Sequence, residues 1–313
     1  MVTLVDGSEA SLLQYLAKLS GVDKVGADQR AAMLGTRSIK TSSKSWAIDM
    51  AIRMVDLTTL EGADSEGKVR AICAKAVHPD PNDFTVPSVG AVCVYNDLVK
   101  IARKNLDLNG GSHIPVAAVT TAFPSGRASM KVKIQDTRDA LTDGATEIDM
   151  VIDRGAFLSG KLGLVFDEIK AIKEICGERA HLKVILETGE LVTYDNVRKA
   201  SFIAMLAGAD FIKTSTGKVT PAATPPVVLV MLEAVRDYYL QTGIRIGVKA
   251  AGGIRTTKDA IKQLVLVNEV AGPEWLNPQF FRIGASALLN DLLMQRMKAD
   301  TGYYSGSNYV TLD

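Results

Sequence analysis

Charge of one sign is the first thing this chain lacks. Its 36 lysines and arginines face 35 aspartates and glutamates, for a formal net charge of +1. Without an excess of basic charge, a nucleic-acid footprint is not expected. Local positive charge stays available for a phosphate-bearing small molecule. Cysteine is scarce. Cys73, Cys93 and Cys176 form no CxxC pair, which argues against a zinc cage or a disulfide framework and for buried thiols in a reducing compartment. His78, His113 and His181 show no ligand spacing, so no metal site is predicted. No apolar run is long enough to span a bilayer, and the opening MVTLVDGSEASLLQYLAKL lacks a basic segment followed by an apolar one. The expectation is no membrane attachment, no signal peptide and a cytoplasmic location. The repeated part of the chain also lacks Pro-, Gly- or Ser-rich linkers and low-complexity segments.

What is present is ordinary globular composition, with 47% hydrophobic and 23% charged residues over 313 positions. That length permits one large domain or two small ones. Ser8 to Leu19 reads as an amphipathic helix capped by Ser8, with Leu12, Leu13, Leu16 and Leu19 at helical spacing and Gly21 as a stop. Residues 1–45 are expected to form a helical extension, and residues 46–313 the main body with a C-terminal tail. In the main body, short apolar runs alternate with longer amphipathic stretches. The runs are RMVDL (53–57), GAVCVY (90–95), PVAAVT (115–120), EIDMVI (147–152), LKVILE (182–187), DFIKT (210–214), IGVKA (246–250) and FRIG (281–284). They recur about every 33 residues, the length of one strand plus one helix. Near-continuous apolar strands between helices imply a parallel sheet covered by helices. Eight units suggest a closed (β/α)₈ TIM barrel. The rival, an open doubly wound sheet, normally has a glycine-rich dinucleotide turn after its first strand, and DLTTLEGADSEG is not one.

Several runs carry an ionisable residue near the C-terminal end: Asp56, Asp149, Glu187, Lys213 and Lys249. In a barrel those ends form the catalytic face. A charge there is costly to bury unless it is paired or does chemistry. Lys213 and Lys249 fall in consecutive strands, so their ammonium groups are expected within a few ångströms of each other. A second cation and an apolar wall both lower a lysine's pKa, and a lysine near neutrality is a nucleophile for carbonyl carbon. A lone strand lysine more often snorkels out or pairs with a carboxylate; two in adjacent strands beside carboxylates shift the balance towards chemistry. Asp149 is a candidate proton-handling group. Asp56 reads equally as an orienting group or as a plain ion-pair partner.

A second constellation reads as a phosphate cradle. KTSTGK (213–218) ends the sixth strand, AGGIRT (251–256) follows the seventh and opens a helix, and IGAS (283–286) ends the eighth and opens the last. Glycines let backbone N–H groups approach an anion, and helix N-termini favour its charge. Barrels commonly bind phosphate after strands seven and eight. One such turn is weak; three at one edge, with Lys218, are more specific. Cys93 reads as a small core residue that could also line the pocket.

These residues resemble the deoxyribose-phosphate aldolase family from about Arg53 to the C-terminus. MVDLTTL (54–60), VCVY (92–95), VAAVTTAFPSG (116–126), EIDMVID (147–153), LKVILETGEL (182–191), FIKTSTGK (211–218), GVKAAGGIRT (247–256) and FRIGASALL (281–289) carry the resemblance. It implies a TIM barrel, no metal, no cofactor, and often a homodimer. It implies reversible cleavage of 2-deoxy-D-ribose 5-phosphate to D-glyceraldehyde 3-phosphate and acetaldehyde through a lysine Schiff base. Residue by residue, Lys213 matches the Schiff-base lysine, Lys249 the lysine that perturbs it, and Asp149 the proton-relay aspartate. Asp56 and Thr58 match positions near the second lysine and the sugar. Gly217, Lys218, Gly252, Gly253, Gly284 and Ser286 match phosphate-side positions, and Thr216 and Cys93 are expected at the substrate. A tail tyrosine assists proton transfer in the family; Tyr303, Tyr304 and Tyr309 all qualify, and Tyr309 is preferred. Two positions depart from the pattern. Ala250 stands where the family usually has proline, and Ala287 where it often has a second serine, which predicts weaker phosphate binding at most. Two rivals remain: another phosphate-binding barrel, such as a ketose-bisphosphate Schiff-base aldolase, and a non-catalytic sugar-phosphate sensor.

Overall fold

The eight apolar runs become eight parallel strands. They are β1 (Val55–Thr58), β2 (Ala91–Tyr95), β3 (Val116–Thr120), β4 (Glu147–Val151), β5 (His181–Ile185), β6 (Phe211–Lys213), β7 (Gly247–Ala251) and β8 (Phe281–Ala285). Each pairs with the next, and β8 returns to β1, so the sheet closes as a (β/α)₈ barrel. The computed structural model describes residues 4–303 and residue 306.

Helices cover the outside. In chain order they are α1 (Glu9–Leu16), α2 (Lys24–Gly35), α3 (Thr41–Met54), α4 (Glu66–Val77), α5 (Val99–Leu108), α6 (Met130–Thr142), α7 (Arg154–Leu158), α8 (Leu162–Cys176), α9 (Tyr194–Leu206), α10 (Pro225–Thr242), α11 (Thr257–Val270) and α12 (Leu288–Thr301). Strand side chains alternate between two faces. The outward set, including Val92, Val94, Ile148, Met150, Val184, Ile212, Val248 and Ile283, joins the large core shared with the helices. The inward set is divided. Cys93, Ala117 and Val119 form a small apolar cluster with Leu60, Tyr95 and Phe123. The inward positions of β1 and β4 to β8 carry charge instead.

Helix α1 is capped by Ser8, whose hydroxyl accepts from the Ser11 N–H at 3.2 Å. It stops at Leu16 rather than Leu19, because the next turn tightens into i→i+3 bonds from Lys18 and Leu19. Helix α3 runs through residues 45 and 46 without a break. The three N-terminal helices clasp the outer ring: α1 lies on α8 and α9, α2 on α10 and α11, and α3 on α11 and α12. Arg30–Glu233 at 2.6 Å ties α2 to α10, and Arg37–Glu269 at 2.7 Å ties the loop after α2 to α11. Among the described residues, no helix is long and apolar enough to cross a membrane.

Candidate active site

The register of β6 against β7 places Lys213 directly beside Lys249. Both side chains are buried and point into the barrel. Lys213 Nζ donates to Asp149 Oδ2 at 2.7 Å, and Lys249 Nζ donates to the same oxygen at 2.8 Å. Lys249 Nζ also lies 2.6 Å from Asp56 Oδ2. Asp56 Oδ1 accepts from Arg282 at 2.7 Å, and the other arm of that guanidinium donates to Glu147 at 3.2 Å. Lys183 closes the network with a short contact to Glu147 and a 3.3 Å bond to Asp149 Oδ1.

Four bases therefore meet three carboxylates in the barrel: Lys183, Lys213, Lys249 and Arg282 against Asp56, Glu147 and Asp149. Were all protonated or ionised as in water, one positive charge would be left over. An uncompensated buried charge costs several kcal/mol, so one base should shed its proton. Arginine cannot. Lys183 and Lys249 each touch more than one carboxylate, whereas Lys213 touches Asp149 alone. Lys213 is the base held least firmly in its charged form.

The individual groups follow that accounting. Burial depresses the Lys213 pKa and Lys249 depresses it further, with Asp149 opposing both. Lys249 moves the other way: burial would lower it, but Asp149 and Asp56 raise it well above the ordinary lysine value. Burial would raise Asp149, yet Lys183, Lys213 and Lys249 hold it well below the usual carboxylate range. Asp56 is lowered as well, by Lys249, Arg282 and Lys183 against its burial. The two lysines, side by side, are driven apart in protonation, the pattern that marks a nucleophile and its charged neighbour.

Lys213 opens onto a cavity of about 660 Å³ at the C-terminal ends of the strands. Thr58, Thr216, Gly217, Lys218, Gly252, Gly253, Gly284 and Ser286 all line it. Gly252 and Gly253 are both left-handed, at φ +88° and +85°, and a side chain at Gly252 would meet the Ala222 Cβ at 2.6 Å. Gly252, Gly253 and Ala287, the N-cap of α12, line the same cavity, and glycine turns and helix N-termini are where backbone N–H groups can receive an anion. Lys218 at that edge pairs with Glu61 at 2.8 Å. Arg255 and Lys68 also line the cavity, and neither was singled out from sequence.

Other expected site residues stand elsewhere. Asp56 and Cys93 do not line the cavity. Asp56 lies wholly buried beneath it, and Cys93 Sγ sits 4.0 Å from Asp149 Oδ2, its thiol pKa raised by burial. Thr58 gives its hydroxyl hydrogen to the Asp56 carbonyl at 2.7 Å. Glu187 is not part of β5. It follows the strand in a left-handed turn and faces Thr216. Tyr303 is exposed, and Tyr304 and Tyr309 lie outside the described residues. Among the described residues, no group of three or more His, Cys, Asp or Glu is placed to hold a metal ion. Sequence reasoning missed Glu147, Lys183 and Arg282. Their signal was an ionisable residue inside an apolar strand, and Glu147 even shares the parity of Asp149 two positions on.

A family model described as DeoC/LacD family aldolase matches residues 50–293. The chain belongs to the DeoC/LacD aldolase family. It is an enzyme of the carbon–carbon lyase class. Human deoxyribose-phosphate aldolase is 45% identical over 301 residues, covering 92% of this aldolase and 94% of the human chain. The Bos taurus protein of the same name is 43% identical over 302 residues, covering 94% of each. Among solved structures, the tetrameric deoxyribose phosphate aldolase of Aeropyrum pernix superposes with a TM-score of 0.60 at 25% identity, covering 82% of this chain and 97% of its own. A Toxoplasma gondii structure shares the fold at a TM-score of 0.73 and 24% identity, covering 86% of this chain and 99% of its own.

Proposed function

We propose that this aldolase cleaves 2-deoxy-D-ribose 5-phosphate reversibly to D-glyceraldehyde 3-phosphate and acetaldehyde, with Lys213 as the covalent nucleophile. The observation that carries the reading is the buried excess of one base over the carboxylates, with Lys213 the least-paired base and the one that opens on the cavity. The relatives' names supply the particular sugar.

Neutral Lys213 Nζ attacks the C1 aldehyde of the open-chain sugar. The carbinolamine loses water to give a protonated imine, with Asp149 handling the proton through a water. Acetaldehyde keeps two carbons, so the bond that breaks is C2–C3. The C3 hydroxyl gives up its proton, C3 becomes the aldehyde of the departing triose phosphate, and the bonding electrons flow into the imine as an enamine. Protonation at C2 and hydrolysis release acetaldehyde and Lys213. Lys249 stays charged beside Lys213 and keeps it neutral, while Asp56 holds Lys249. Lys218, Gly252, Gly253, Gly284 and Ser286 hold the phosphate, whose binding energy orients the reacting end.

The direct test is borohydride reduction in the presence of acetaldehyde, followed by peptide mass mapping. A reduced two-carbon adduct on Lys213 is expected. An adduct on Lys249, or none, overturns the assignment. Turnover of deoxyribose phosphate against ketose bisphosphates tests the substrate.

A further inference from the structure

Glu187 is a buried carboxylate that the chemistry above leaves unused. It is wholly buried, it does not line the cavity, and its backbone is left-handed at φ 53° and ψ 61°. A non-glycine residue persists there only where its surroundings over-determine it. The surroundings are the segment that leaves β6. On one side the Leu186 N–H donates to the Lys213 carbonyl at 2.9 Å, and on the other the Thr188 N–H donates to the Thr214 carbonyl at 2.9 Å. Between them the left-handed turn sends the Glu187 side chain further along that segment. Its Oε1 accepts from the Thr216 N–H at 3.2 Å, and its Oε2 accepts from the Thr216 hydroxyl. One turn later, Gly189 packs so closely on the next loop that a Cβ would lie 2.2 Å from the Pro221 carbonyl oxygen. Residues 186–189 thus lie along residues 213–221.

The contact continues past Thr216. With its hydrogen donated to Glu187, the Thr216 oxygen accepts from the Lys218 N–H at 3.1 Å. A relay runs from Glu187 through Thr216 to the backbone of Lys218, around the left-handed Gly217. Both donors of Thr216 are taken by Glu187, so Thr216 serves the cavity wall by shape rather than by donating to a ligand. The charges that act on Glu187 are those of Arg154 and Glu190, and they pair with each other at 2.5 Å.

We propose that Glu187 is a positioning residue for phosphate recognition, fixing the Thr216–Lys218 turn in the shape that receives the anion. The sugar it helps to select rests on the function proposed above; the phosphate role does not. The test compares kcat/KM for 2-deoxyribose 5-phosphate with kcat/KM for unphosphorylated 2-deoxyribose in wild type and E187Q. Glutamine keeps the volume but cannot accept from both Thr216 donors. Hydrogen bonds to a charged group are strong enough that the ratio should fall about tenfold, through KM. T216V should lower the ratio similarly, and E187Q/T216V should be no worse than the poorer single variant, since both remove one interaction. Equal losses on the two sugars would mean a merely structural role and overturn the proposal. Calorimetric titration with inorganic phosphate separates the two readings. Weaker phosphate binding in E187Q supports the proposal even if deoxyribose phosphate is not the substrate. Equal binding in both proteins, or none in wild type, overturns it whatever the substrate. Should E187Q fail to fold, T216V carries the same comparisons.

Discussion

Lys213 and Lys249 share one carboxylate oxygen: Asp149 Oδ2 lies 2.7 Å from the first Nζ and 2.8 Å from the second. The two amines compete for one acceptor, and only Lys249 has a second carboxylate in ion-pair contact, Asp56 at 2.6 Å. Lys213 therefore loses the competition for a proton. In the proposed mechanism, that asymmetry makes two chemically identical side chains a nucleophile and a fixed cation.

Removing any one positive charge from the cluster should return the proton to Lys213. K249M does so at the shared oxygen. R282M does so from beneath, without touching a contact of Lys213. In both variants the remaining bases match the three carboxylates, and the Lys213 pKa rises. Since only the neutral amine attacks, the acidic limb of kcat/KM against pH moves to higher pH. Activity near pH 7 falls, by tenfold for each unit the pKa moves above the assay pH, and partly recovers in alkali. R282K, which keeps the charge, should move the limb less than R282M. An acidic limb that stays in place in R282M would refute the charge accounting.

The same proton bears on stability. The folded pKa of Lys213 lies below its unfolded value of 10.5. Between the two, the unfolded chain binds a proton that the folded chain refuses, so stability rises with pH across that window and is lost as pH falls through it. K213M removes this dependence together with activity. By calorimetry it should melt higher than wild type at pH 7, by about 2 °C or more, and the gap should close towards pH 10. A lower melting temperature at pH 7 contradicts the depressed pKa.

Glu61 pairs with Lys218 at 2.8 Å, and both line the cavity. A carboxylate at that edge repels a phosphate dianion and must let go of Lys218 to admit it. E61Q should lower KM for the phosphorylated sugar several-fold at low salt, with less effect at high salt, where exposed charges are screened. KM for unphosphorylated 2-deoxyribose should change less. A raised KM for the phosphate ester would instead make Glu61 a supporting partner of Lys218.

Gly284 leaves room for Lys249. A methyl group there would lie 3.1 Å from Lys249 Cε and 2.9 Å from the Ala251 Cβ. G284A should push Lys249 away from the shared oxygen, lowering kcat about tenfold and moving the acidic limb to higher pH. A variant that folds with unchanged kcat and pH profile would show that the stem of Lys249 adjusts freely.

Much of this architecture was legible because its causes are local. Runs such as PVAAVT and IGVKA are too apolar for an exposed surface, and their spacing leaves room for one helix each. Lys213 and Lys249 stood out because charge breaks such a run near its end. Arg282, Glu147 and Lys183 escaped because their significance is relational. Each is a charge near the start or middle of a strand, and only ring closure shows that it belongs to one cluster with an excess of one base. Glu187 was misplaced for a similar reason. LKVILE continues as a strand in composition, and only the contact with Thr216, 29 residues on, explains why the backbone turns left-handed there. Helix α1 ended early because leucine spacing persists through a turn whose hydrogen bonds have already changed.

Ring closure also completes the charge excess of the cluster. Arg282 on β8 supplies the charge in excess, and its contact with Asp56 joins the last strand to the first. Without Arg282, the three lysines of the cluster would be matched one for one by Asp56, Glu147 and Asp149. In the proposed mechanism, the charge excess that sets Lys213 apart is complete only once the last strand closes the ring on the first.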